Sequence, residues 1–228
     1  MEKLCKIKEF KWIRFLYTYP ESITEELIQV VKNNDKICNY FDIPLQHISN
    51  SVLKRMNRKS NEETIKNVIN KIRKEIPDVI LRTSLIVGFP GESKEDFEKL
   101  YNFVKETKFN KLGVFQYSKE DGTPASKLKE QIHHNTKKSR YNKIMKLQNH
   151  ISEEILKSKI GNMYDVLIEG KTFDDKYYLG RTYMDVPEMD GVVYIKNNKK
   201  QDIRIGEFYK SKIIDVKEYD LIAEMLLN

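Results

Sequence analysis

Hydrophobic and polar positions over residues 11–118 switch repeatedly between a strand-like and a helix-like period. KWIRFLYTYP (11–20) is rich in aromatic and aliphatic residues and predicts a strand stopped by Pro20, because proline cannot donate to a sheet ladder. Ser22 and Glu25 have the spacing of a capping box and predict an amphipathic helix to about Asn33. A second short strand is expected from Ile37 to Leu45. Ser49 or Asn50 caps a helix through Met56, and a longer helix runs from Asn61 to Glu75 until Pro77 ends it. VILRTSLIVG (79–88) reads as the third strand. In SKEDFEKLYNFVKET, Ser93 caps a helix that places Phe97, Leu100 and Val104 on one face. KLGVFQYS (111–118) is the fourth strand, closed by the turn residues DGTP. Strands alternating with helices predict a parallel α/β sheet with ligand chemistry at the carboxyl ends of its strands.

The period changes after a basic helix expected from Thr136 to Ser158. NMYDVLIEG, KYYLGRTY, GVVYIK and EFYKSKIIDVKEYDLIAEML are short, β-rich runs separated by the turn-forming clusters DD, PEMDG and NNKKQD. They predict a small all-β barrel domain over residues 159–228, following an α/β domain over residues 1–158. Charge divides at the same place. Residues from Ile160 onward hold 13 acids and 10 bases, whereas the 159 before them hold 21 acids and 31 bases. A single net charge of +7 hides two parts of opposite sign.

Composition excludes little else. No apolar run approaches the ~20 residues that span a bilayer, and the opening MEKLCKIKEFKW has neither the apolar stretch nor the cleavage site of a signal peptide, so a cytoplasmic protein without a membrane partner is expected. Cys5 and Cys38 match no metal-ligand spacing and read as two reduced thiols, with no metal site.

Three strand ends carry candidate chemistry. In TSLIVGFPGES (83–93), Arg82 and Ser84 share one face of the strand, and Gly88 and Gly91 let backbone approach a ligand. The turn lacks the frame of a P-loop and is neither GxGxxG nor GxSxG. A tight connection that uses its glycines only for the turn stays an open reading. In DIPLQHIS (42–49), Gln46 and His47 follow a strand end where an amide or imidazole can bond a small ligand. FQYSKEDGTPAS (115–126) supplies a third strand end with a glycine turn. Together they predict a small-molecule site at a barrel mouth without naming the reaction.

The order FDIPLQHISNSVLKRMNRKS, LRTSLIVGFPGESKEDF, GVFQYSKEDGTPAS and GRTYMDVPEMDGVVYI resembles the radical S-adenosylmethionine methylthiotransferase family. WIRFLYTYPESIT and GRTYMDVPEMDG resemble the subgroup that modifies an aspartate of ribosomal protein uS12. The resemblance implies a partial (β/α) radical-SAM barrel followed by a TRAM-like β barrel, and a reaction that adds a methylthio group to the β-carbon of that aspartate. It implies S-adenosylmethionine and two 4Fe-4S clusters, each on three cysteines, one cleaving S-adenosylmethionine to a 5′-deoxyadenosyl radical. Neither cysteine triplet occurs in this sequence. The chain is accordingly expected to be part of such an enzyme and inactive alone.

By the same resemblance, Gln46 faces the sugar or methionyl part of the cofactor, and Arg82 and Ser84 point toward its polar groups. Gly88, Phe89 and Pro90 wall the adenine, with Tyr117 packed beside them. A TRAM module is usually associated with RNA, but affinity for RNA comes from cations, and this domain is acidic. Asp174, Asp175, Asp185, Glu188 and Asp190 are therefore expected to dock a basic protein, uS12, with RNA the less favoured partner. The alternatives are a fragment of a tRNA-adenosine methylthiotransferase and a non-catalytic module that binds protein or RNA.

Overall fold

The computed structural model describes residues 1–197 and 203–226, so most of the predicted NNKKQD turn lies outside the described residues. The chain forms two compact units, Met1–Ile151 and Ser152–Asn228.

The first unit is built on a three-stranded parallel sheet in the order β1 (Tyr40–Asp42), β2 (Ile80–Val87), β3 (Lys111–Gln116). Among the described residues its helices are α1 (Glu2–Cys5), α2 (Glu25–Lys32), α3 (Asn50–Arg55), α4 (Glu62–Glu75) and α5 (Lys94–Thr107), and α6 (His134–Lys157) begins in it. Polar residues start these helices for a local reason, since the first turn has backbone N–H groups without intrahelical partners. The Asn61 side chain accepts from Thr64 N–H, and Ser93 and Asp96 form a reciprocal capping box. Thr24 rather than Ser22 caps α2, accepting from Leu27 N–H, because residues 20–22 are wound into a 3-10 turn. Ser49 stands at the start of α3, but its hydroxyl donates to Asp96 instead of capping its own helix.

The run 11–20 does not form a strand. Ile13 bridges Ile37, and Thr18 N–H donates to Asp42 C=O at 2.8 Å, but Tyr17 adopts φ 59° and breaks the ladder. A parallel ladder needs continuous extended backbone. The expected four strands are thus three strands plus one extended segment.

Burial alternates along β2. Leu81, Thr83, Leu85 and Val87 are buried, while Arg82, Ser84 and Ile86 are partly exposed. The buried face belongs to a core with Phe41, Ile65, Ile72, Leu100 and Val104, each large side chain contributing about 1.5–3 kcal/mol. The other face is buried at Tyr40, Ile80 and Asp42 and partly open further along, at Arg82, Ser84 and Ile86.

The second unit is a closed barrel in the order β4 (Met163–Lys171), β5 (Tyr177–Arg181), β6 (Val193–Lys196), β8 (Asp220–Met225), β7 (Phe208–Lys217). The β6–β8 pair is parallel and the others are antiparallel. Val166, Ile168, Tyr178, Val193, Ile195, Ile213, Leu221 and Ala223 fill it. Gly180 admits no side chain, because a Cβ there would lie 2.5 Å from Leu167 C=O.

Candidate functional site

The open face of the sheet is organised in rows across the strands. Asp42 on β1 is fully buried and pairs in register with Arg82 on β2, whose Nη1 donates to Asp42 Oδ1 at 3.1 Å. Asp42 Oδ2 also accepts from Tyr17 N–H at 3.3 Å. Arg82 therefore does not stand ready with an unspent charge for a cofactor, since its guanidinium already neutralises a buried carboxylate.

One row further toward the carboxyl ends, Gln46 and Ser84 meet. Gln46 bridges Leu85, its N–H donates to Ser84 C=O, and its side-chain amide reaches Ser84 Oγ at 3.4 Å. Gln46 has φ 69°, an arrangement uncommon outside glycine that holds only where surrounding bonds fix it. Both side chains remain partly exposed. On β3, Gly113 stands beside Ser84 and Phe115 beside Ile86. Phe115 is 59% exposed. It is the aromatic residue of this face that the sequence pattern does not single out, although strand register would have placed it there.

The turn after β2 is packed by the protein's own side chains. Gly88 and Gly91 have φ 74° and 81°, which explains the two glycines. A Cβ on Gly88 would run into the Lys137 side chain and one on Gly91 into Arg55. Phe89 is buried, with its ring edge-on to Tyr117 at 5.1 Å, and Pro90 is buried too. Lys137 Nζ lies over the Tyr117 ring at 4.8 Å and donates to its carbonyl. Burial lowers the Lys137 pKa. The glycines thus admit Lys137 and Arg55 closely, and the Phe89 ring is spent in packing. Tyr117 Oη is buried and has no hydrogen-bond partner. This is the polar atom near the turn that a ligand could satisfy.

Beneath the turn lies a buried charge cluster absent from the sequence reading. Glu92, fully buried, accepts from Gly88 N–H and lies 3.2 Å from Arg140 Nη1. Arg140 also donates to the carbonyls of Glu92 and Ser93 at 3.0 and 3.1 Å. His47 is fully buried, not presented to a ligand. Its Nδ1 accepts from Ser49 N–H at 2.9 Å, so a ring proton must sit on Nε2, which faces Glu92 Oε1 at 3.8 Å. Glu92 joins the exits of β1 and β2 to α6. The signal that could have found it is the acid closing GFPGE, which reads from sequence only as a helix-start residue.

The acidic residues of the barrel unit divide into two kinds. Asp174 accepts from Thr172 Oγ1 at 2.7 Å and pairs with Lys176 Nζ at 3.0 Å, and these bonds hold its carboxyl down at about 2. Asp175 pairs with Lys171 at 3.1 Å, and Glu188 is exposed. Asp185, only 5% exposed, accepts from Thr182 Oγ1 at 2.9 Å, and Asp190 accepts from Val186 N–H at 2.9 Å. The last two hold their own loop. Asp185, expected on a docking surface, is buried within that loop.

Among the described residues no group of three His, Cys, Asp or Glu side chains is placed to hold a metal. Cys38 is buried and Cys5 partly exposed. With two cysteines in the sequence, this chain does not supply the three thiolates of a 4Fe-4S cluster.

Residues 1–104 match the radical SAM superfamily and residues 160–226 the TRAM domain. The chain is 66% identical over 225 residues to the ribosomal protein uS12 methylthiotransferase RimO of Alkaliphilus oremlandii, covering 99% of this chain and 51% of that protein. The proteins of the same description from Clostridium novyi and Clostridioides difficile are each 52% identical, over 98% and 99% of this chain and 49% and 50% of their own lengths. The chain spans about half the length of the curated relatives it matches.

Proposed function

Belonging by sequence with the radical SAM methylthiotransferases it matches, this chain, we propose, supplies the cofactor-facing sheet and the TRAM unit of an enzyme that methylthiolates an aspartate of ribosomal protein uS12 in the cytoplasm. The observation that carries the reading is the 66% identity to a protein so named, running through 99% of the chain and both units.

The open face fits S-adenosylmethionine. Gln46 and Ser84 offer partly exposed amide and hydroxyl groups in adjoining positions, Phe115 gives an exposed ring for a flat apolar surface, and Tyr117 Oη is an unsatisfied buried polar atom. S-adenosylmethionine, when bound, supplies the radical chemistry of this class. Gln46 and Ser84 hold its polar part, and the Asp42–Arg82 pair fixes the strand separation beneath them. Gly88, Phe89 and Pro90 act as the frame that sets the Tyr117 ring. The clusters do not fit this chain, and its own residues carry no step through them.

Of the five acids expected to dock a partner, Asp174, Asp175 and Glu188 remain at the surface, and they support docking of a basic protein more than of RNA. The test is equilibrium binding of the purified chain to uS12 and to unmodified tRNA at matched ionic strength. Retention of uS12 is the expected result. Retention of tRNA without uS12 would overturn the substrate, and an unchanged affinity for S-adenosylmethionine in Ser84→Ala and Gln46→Ala would overturn the cofactor site.

A further inference from the structure

The segment WIRFLYTYP ends in a feature that the cofactor site does not use. Tyr17 holds φ 59°, and the residue is 68% exposed. A left-handed backbone at a bulky residue is strained and persists only where neighbours impose it. Here the neighbour is the buried Asp42 carboxylate, which takes Tyr17 N–H while binding Arg82. The next residue, Thr18, is locked through its N–H to Asp42 C=O, and its hydroxyl is buried without a partner. Two residues on, Tyr19 is 52% exposed and carries the Arg58 guanidinium 4.9 Å over its ring. Arg58 in turn donates to Pro44 C=O, on the exit of β1. Three separate chain segments therefore converge to display two tyrosine rings and one arginine beside the row that leads to Gln46.

Packing does not account for this arrangement. A tyrosine that served the core would bury its ring. We propose that Tyr17, Tyr19 and Arg58 form a recognition patch for the substrate protein, which grips a segment that presents an acidic side chain next to a large apolar one. Arg58, stacked on Tyr19, receives the carboxylate, and the Tyr17 face receives the apolar neighbour. The patch rests on the uS12 reading above and adds the residues that would select the segment. A nucleobase also stacks on tyrosine, but RNA needs cations for its phosphates. Here Arg58 and Lys59 both share the field of Glu21, whose carboxyl their charge and a Ser60 hydrogen bond hold below its ordinary value against the opposing effect of burial. The local balance suits one carboxylate rather than a phosphate chain.

The test is the affinity of the full chain for immobilised uS12, measured by biolayer interferometry, with S-adenosylmethionine affinity and unfolding midpoint followed in parallel. Tyr17→Gly keeps the left-handed backbone and removes only the ring, so it should weaken uS12 binding about tenfold, the scale of an aromatic hot spot. Tyr17→Phe should stay within about twofold, because the face rather than the hydroxyl makes the contact. Arg58→Lys should lose as much as Arg58→Ala, since an ammonium does not stack in a plane. Wild-type retention of uS12 with Tyr17→Gly indistinguishable from it overturns the patch alone. So does a Tyr17→Gly variant that lowers the unfolding midpoint without changing uS12 affinity, which would mean that the ring packs against protein. Wild-type chain that binds tRNA and not uS12 defeats the substrate reading on which the patch rests.

Discussion

Two pairs of carboxylates, one in each unit, are used in opposite ways. In the parallel-sheet unit Glu92 and Asp42 are fully buried, and each joins chain segments far apart in sequence. In the barrel unit Asp174 and Asp175 sit in one hairpin loop and pair with lysines within four residues, all of them solvated. A buried charge that loses its partner is left uncompensated in a low-dielectric surrounding, while an exposed one is rehydrated at once. The same residue type is thus a structural tie at Glu92 and Asp42 and a surface charge at Asp174 and Asp175.

The sharpest way to break that contrast is Glu92→Gln. It leaves Arg140 and His47 buried without their carboxylate and should cost about 3–5 kcal/mol, read from urea unfolding of the sheet unit. Asp42→Asn should come next. It weakens a charged hydrogen bond to Arg82 and the hold on Tyr17 N–H, at about 2 kcal/mol, with a lowered unfolding midpoint. Gly88→Ala forces a Cβ into φ 74° and against Lys137, and should cost about 1–2 kcal/mol for the backbone alone. Lys137→Ala in the same chain should recover the clash but not the backbone part.

Acid titration separates the units more finely. Burial alone would raise the Asp96 carboxyl, but hydrogen bonds from Ser49, Ser51 and Ser93 outweigh it and hold the group at about 2, against an ordinary 3.8. A depressed carboxyl stabilises the fold above its unfolded pKa and loses that contribution as pH falls through the folded value. Stability should therefore decline between pH 3.8 and about 2, and Asp96→Asn should flatten that stretch of the curve. Asp174 is also held at about 2, yet its share of the acid slope should shrink in high salt because the group is solvated. The smallest effect expected is from Asp174→Asn at neutral pH, with no measurable change in unfolding midpoint in high salt.

What was legible in the sequence followed from local rules. The Ser93 cap, the α5 face, the parallel sheet and the small barrel all come from period, caps and turn residues. The sharing of a face by Arg82 and Ser84 came from the period of two, while the contact of Gln46 with Ser84 is a finding of the structure. What escaped were relations set by distant partners. Nothing local announces that Asp42 consumes Arg82, that Glu92 gathers Arg140 and His47, or that Gly88 and Gly91 are small for Lys137 and Arg55. The extended run ending at Tyr17 failed as a strand for the same reason, because a carboxylate 25 residues away sets its backbone.

Ring closure in the barrel unit has a consequence for how this protein behaves while it is being made. Every strand there has a neighbour on both sides, so none presents the bare row of N–H and C=O groups on which a second chain could build. The sheet unit, whose β3 pairs only with β2 among the named strands, has such a row. Where chains are crowded and partly folded, self-association should therefore start from the sheet unit, and proline or lysine placed on the outer edge of β3 should suppress it without touching the barrel.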